Sequence, residues 1–171
     1  MWQEISNTVL SEFSDIPDAT HITRITLRLL VAAALGGVLG YEREQQGKSA
    51  GVRTHMLVAI GAALFILIPE QAGTATADLA RVLQGVIAGV GFLGAGAIVL
   101  GNKQVETRGL TTAAGIWVTA AIGIAAGMGR ESTAVLSTLV ALFVLSVVPL
   151  LHRVRRERER ATRGSKPKLP G

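Results

Sequence analysis

The chain contains no cysteine. It therefore offers no disulfide, no thiolate metal ligand and no cysteine nucleophile. Aromatic residues are scarce, with four Phe, two Trp and one Tyr in 171 residues. Its basic stretches accordingly lack the interleaved rings on which nucleic-acid bases stack, and no nucleic-acid partner is expected. Only three histidines occur, His21, His55 and His152, and they fall on different segments. No cluster with metal-ligand spacing results. A positively charged start followed by an apolar stretch is also missing. Glu4, Glu12, Asp15 and Asp18 occupy that region instead, so no cleavable signal peptide is expected.

What remains is aliphatic and small. Apolar residues make up 49% of the chain, there are 20 glycines, and the mean hydropathy is +0.45. Soluble domains rarely reach that value, whereas membrane helices packed through small residues do. The net charge of +5 is unevenly placed. From His152 onward there are eight Lys/Arg against two Glu; upstream there are nine against ten. The excess is a basic tail, not a basic face.

A spanning helix needs about 20 mostly apolar residues. Five runs qualify, at about 22–41, 54–69, 82–100, 109–127 and 134–151. The expected fold is all-α, a polytopic transmembrane bundle of five spans in a lipid bilayer. Residues 1–21 form an N-terminal segment, 22–151 the membrane domain and 152–171 a basic tail. Lys and Arg flanking spans stay inside, so the tail should be cytoplasmic and the acidic N-terminus outside. The segments 42–53 and 101–108 then fall inside, and 70–81 outside.

Residues 89–96 read GVGFLGAG, and the first six have the Gly-x-Gly-x-x-Gly spacing of a dinucleotide-binding turn. That turn requires a strand before it and a helix start after it. Here the motif lies within the third apolar run, so a phosphate role is set aside. Gly85, Gly89, Gly91, Gly94 and Gly96 are expected instead to serve helix packing, Gly85 and Gly89 having small-xxx-small spacing.

The proposed orientation brings polar groups from several segments to one depth. These are Glu42, Arg43, Glu44, Lys48, Arg53, Thr54, His55, Arg108, Thr111 and Thr112. Each has a plain reading. Glu42 to Lys48 fit a solvated loop with weak surface ion pairs. Arg53 and Arg108 fit snorkelling anchors. Thr54, Thr111 and Thr112 fit helix caps. Together they form a place suited to an anion, a lipid headgroup or a charged partner segment. Paired Glu42 and Glu44 are also weak candidates for Mg²⁺, the one possible cofactor. At the outer side Arg28, Asp78 and Arg81 form a second set, in which Arg28 or Arg81 is expected to pair with Asp78. A faint parallel repeat links the two span–loop–span units that end in GVRTH and RGLTT. In the tail, Arg153, Arg156, Arg160 and Arg163 recur at helical spacing, so the last helix could continue onto anionic lipid.

Taken together, GYERE, KSAGVRTHMLV, GFLGAG and RGLTTAA, with Asp78 and Arg81 ahead of the glycines, resemble the signature of the MgtC/SapB family. The resemblance covers about residues 22–130. It implies a multi-pass protein of the bacterial inner membrane; the chain is expected to be a short form, since the best-known members carry a C-terminal soluble domain and here only the basic tail stands in its place. It implies a link to growth in low magnesium, to virulence and to control of the rotary ATP synthase and membrane potential. The reading that follows is a non-enzymatic regulator, with the ATP synthase or a homo-oligomer as partner. The alternative is a transporter of Mg²⁺ or another small solute. No nucleophile–base pair supports catalysis, and no catalytic residue or cofactor is assigned.

Overall fold

The computed structural model describes residues 1–12, 18–99 and 109–164, the side chains of Thr76, Val99 and residues 149–164 excepted. The described chain is helical throughout. Helix α1 spans Trp2–Glu12, α2 Ala19–Gln45, α3 Val52–Gln71, α4 Thr76–Val99, α5 Leu110–Gly127 and α6 Glu131–Gly164. Five of them, α2 to α6, contain stretches long and apolar enough to cross a membrane.

Local sequence explains several ends. Asp18 caps α2, its carboxylate accepting the His21 N–H at 2.8 Å. That cap moves the start to Ala19, ahead of the apolar run. At the other end α2 continues through Tyr41-Glu42-Arg43-Glu44-Gln45. These charged residues read as loop in the sequence, yet they form the last helical turns. The α3 cap is also unexpected. Gly51 has no capping side chain, and the Glu44 carboxylate instead accepts the Val52 N–H at 3.0 Å. Thr54 therefore lies inside α3 and caps nothing. Gly109 precedes α5 with φ of 103°, a left-handed conformation that a Cβ would strain. It too supplies no side-chain cap, and Thr111 and Thr112 sit within the first turn of α5. The backbone of α6 stays helical to Gly164, through the arginine-rich tail.

Helix α5 is the centre, packing on α2, α3, α4 and α6. Half of its span is buried. Two close approaches set the geometry. A Cβ at Gly123 would collide with the Ala59 backbone, and one at Gly127 would lie 2.7 Å from the Ala63 carbonyl oxygen. A four-residue step on α5 thus meets a four-residue step on α3, with backbones in contact. Both helices rise in the same direction there. Likewise, a Cβ at Gly36 would lie 2.6 Å from the His55 carbonyl oxygen, which draws α2 against α3. Close small-residue contacts of this kind replace hydrophobic expulsion, which lipid does not provide. The core around them is Ala32, Leu39, Ala59, Ala63, Ile122, Ala126 and Ala134.

The glycines of α4 do not share this role within the chain. Among the described residues, a Cβ at Gly85, Gly89, Gly91 or Gly96 would meet nothing within 4 Å. Gly94 alone of that group has a neighbour, Ala113, at 3.5 Å. The expected packing face of the third span is thus corrected. The spacing exists, but the chain closes on Gly36, Gly123 and Gly127. Helix α1 lies in the N-terminal segment and, among the described residues, packs on none of the other helices. It has no buried residue, and Trp2, Ile5 and Val9 are exposed along it.

Candidate functional site

The α2–α3 turn gathers polar groups into a compact cluster. Arg43 lies on the same face of α2 as Ala32, Gly36 and Leu39, spaced at helical intervals, and this face is buried. The guanidinium is therefore drawn inside, only 1% exposed. Its Nε donates to Glu42 Oε2 at 2.6 Å and its Nη2 to Gln46 Oε1 at 2.8 Å. Gln46 Nε2 donates in turn to Glu42 Oε1 and to the Leu145 carbonyl at 3.3 Å. Ser146 adds a donor to Glu42 Oε1 at 3.4 Å. The cluster thus ties the end of α2 to the middle of α6. Glu42 and Arg43 cancel in charge, as buried pairs must.

His55 sits one turn into α3 and is fully buried. Its Nδ1 lies 3.0 Å from the Gly51 carbonyl oxygen. A carbonyl only accepts, so Nδ1 carries a hydrogen and donates it, which leaves Nε2 as the ring's other polar atom. Among the described residues neither that nitrogen nor Arg43 Nη1 has a hydrogen-bond partner. Both side chains border Gly115 of α5. A Cβ there would lie 3.6 Å from His55 Nε2 and 3.9 Å from Arg43 Cδ.

Other expected members of the inner set are dispersed. Glu44 faces outward and caps α3. Lys48, Arg53, Thr54 and Thr111 are exposed, whereas Thr112 is 3% exposed. Arg108 lies outside the described residues. Gln46 and Ser146 were missed. The Gln46 signal was its position four residues after Glu42, one turn further along a helix that the sequence seemed to have ended. Among the described residues no group of three or more His, Cys, Asp or Glu could hold a metal ion. Replacing Glu44 by Gln is expected to lower the thermal stability in detergent by about 0.5–1 kcal/mol, through loss of the charged cap. A light-scattering or fluorescence melt checks it.

At the opposite end Asp78 has one of its two expected partners, Arg81, while Arg28 stands elsewhere. Arg81 Nη1 lies 3.0 Å from Asp78 Oδ1, an exposed pair within one helix. Arg28 does not join them. Its Nη1 meets Glu70 Oε2 at 2.7 Å and the Gly127 carbonyl at 2.9 Å. The guanidinium lies over Gly129, where it fills the space a Cβ would take, and the φ of 69° there also favours glycine. The outer trio is therefore corrected: Arg28 bridges α2, α3 and α5, because its register faces those ends rather than α4. Arg28→Met should cost about 1.5–3 kcal/mol, the range for a hydrogen bond to a charged group. Arg81→Met should leave the same melting curve unchanged, since exposed pairs contribute little.

The helices and their apolar faces define a multi-pass α-helical membrane protein with a core of small residues and a polar end. The model of the MgtC family matches residues 29–154, and the chain belongs to that family. It is 42% identical over 141 residues to Protein SrpB of Synechococcus elongatus, covering 76% of this chain and 78% of that protein. It is 41% identical over 128 residues to "Putative magnesium transporter YhiD" of Escherichia coli K12, covering 71% and 59%. It is 40% identical over 116 residues to Protein MgtC of Salmonella typhimurium 14028s, covering 68% and 48%. The chain therefore spans under two thirds of YhiD and about half of MgtC. No solved structure matches it.

Proposed function

We propose that the protein is a non-enzymatic regulator of the bacterial inner membrane, acting by contact through its cytoplasmic α2–α3 turn end. One observation carries this reading. Lys48 and Arg53 are exposed and, among the described residues, join no ion pair, while Arg43 beside them is buried and neutralised by Glu42. The turn thus offers free cations on a fixed base, suited to an acidic partner segment or anionic headgroup. Between this end and the Arg28 end, the Gly123–Ala59 and Gly127–Ala63 contacts leave backbone against backbone. That arrangement suits a scaffold better than a path. The family resemblance makes the rotary ATP synthase the first partner to test, and low-magnesium adaptation the physiological setting.

The competing reading is Mg²⁺ transport, favoured by the name that YhiD carries. Purified protein in liposomes containing a magnesium-sensitive dye separates the two. The regulator predicts no influx above that of empty vesicles. Saturable influx abolished by Glu42→Gln would establish transport instead. In parallel, the tagged full chain should co-purify with a membrane complex, and Arg53→Ala should weaken that association.

A further inference from the structure

Helix α1 takes no part in the proposed function and, among the described residues, packs on no other helix. Its sequence is nonetheless two-sided. Trp2, Ile5 and Val9 stand at i, i+3 and i+7, which places them on one face, with Leu10 at its edge. Glu4, Asn7 and Ser11 repeat at the same spacing on the opposite face. The apolar face is bare: Trp2 is 80% exposed, Ile5 49% and Val9 50%.

Such a helix needs a surface. It has 11 residues, and isolated helices below about 12–15 residues are marginal in water even when rich in alanine. Its Ser, Asn, Thr and Val residues lower the helical tendency further. Three observations select a bilayer as that surface. The first is the tether. Helix α1 ends at Glu12 and α2 begins at Ala19, a separation of at most roughly 25 Å when fully extended. Ile22 and Leu27 of α2 are apolar and exposed, so the lipid-facing surface of the span begins within one turn of Ala19. The connection therefore holds α1 beside the headgroups of one leaflet. The second is size. A stable protein interface uses about 20–30 residues a side, more than α1 possesses. The third is Trp2, whose ring type settles at headgroup level with its N–H toward water.

Charge defines the kind of lipid surface. Residues 1–18 contain Glu4, Glu12, Asp15 and Asp18 and neither Lys nor Arg. Anionic headgroups attract basic segments, so they offer this one nothing. The apolar face has to hold the helix, and the covalent link to α2 supplies the local concentration that a basic patch would otherwise provide.

We propose that α1 is an interfacial helix, lying in the plane of the leaflet at the N-terminus of α2, with Trp2, Ile5 and Val9 sunk among neutral headgroups and Glu4, Asn7 and Ser11 in water. The assignment holds whichever side that leaflet faces, and it is independent of any partner at the α2–α3 turn.

Tryptophan fluorescence tests it. Trp117→Phe leaves Trp2 as the sole tryptophan. This full chain is placed one per nanodisc, which excludes a second copy, in phosphatidylcholine brominated either near the headgroup or near the chain ends. Trp2 emission should be blue-shifted, quenched more strongly by the shallow bromines, and shielded from iodide in the water. Ile5→Asp combined with Val9→Asp should abolish the lipid quenching and admit iodide. The melting curve of the bundle should stay unchanged, because α1 adds nothing to its packing. Asn7→Asp, on the polar face, should leave the quenching as it was, and added phosphatidylglycerol should not strengthen it. Free access of iodide to Trp2 in the parent chain would overturn the assignment. So would a blue shift without lipid quenching, which means cover by protein, or quenching that requires phosphatidylglycerol. A melting curve lowered by the double variant would place α1 against the bundle and overturn it equally.

Discussion

Gly123→Val is expected to leave almost no folded protein. A Cβ at this position meets the Ala59 backbone itself, its oxygen, Cα and carbonyl carbon. A side chain can rotate away from such a collision, but a helix backbone can only shift as a whole. Overpacking usually costs about 1–3 kcal/mol and more where nothing yields. Total stability is only about 5–15 kcal/mol, so separating α3 from α5 removes a large part of it. Gly127→Val should act in the same direction through Ala63. Gly85→Val is the control, since its Cβ meets nothing within 4 Å. Monodisperse yield on size-exclusion chromatography reads all three. A folded Gly123→Val protein with unchanged melting would show that α3 and α5 are not in backbone contact.

Arg43→Met should be nearly as damaging, for an electrostatic reason. It leaves the Glu42 carboxylate, 13% exposed, without its guanidinium. Removing one partner of a buried pair costs about 3–5 kcal/mol, because the remaining charge is uncompensated. The same change frees Gln46, so the link from α2 to Leu145 and Ser146 of α6 loosens. Glu42→Gln combined with Arg43→Met removes both charges together. The double variant should therefore recover part of the stability lost by Arg43→Met. Melting temperatures of the two proteins in one detergent decide it. If the double variant is worse by the full sum, the pair is not acting as a buried unit.

The five spans were legible because lipid demands long apolar runs, and these interrupt an otherwise charged sequence. Three features were not legible, each for a definite reason. Glu42-Arg43-Glu44 looks like loop by charge, yet Arg43 completes a buried stripe with Ala32, Gly36 and Leu39. The stripe repeats at helical spacing, but its last member is charged and falls beyond the apolar run that marks the span. Small-xxx-small spacing occurs at Gly85 and Gly89 and again at Gly123 and Gly127, and sequence cannot say which pair finds a partner. Only the placement of α5 at the centre decides that. The Arg28–Glu70 contact joins residues 42 apart, from two helices whose rotation no local pattern fixes. Thr54, Thr111 and Thr112 showed a sound capping signal that lost to positions already inside their helices.

The absence of native cysteine makes one experiment unusually clean. Ser49→Cys places a thiol at the exposed α2–α3 turn, and Ala72→Cys places one at the exposed α3 C-terminus. A membrane-impermeant maleimide applied to intact spheroplasts should label Ala72→Cys at once, and Ser49→Cys only after lysis. Labelling of Ser49→Cys in the intact spheroplast, or equal labelling of both, would contradict a bundle that spans the bilayer with its polar turn beneath the inner leaflet.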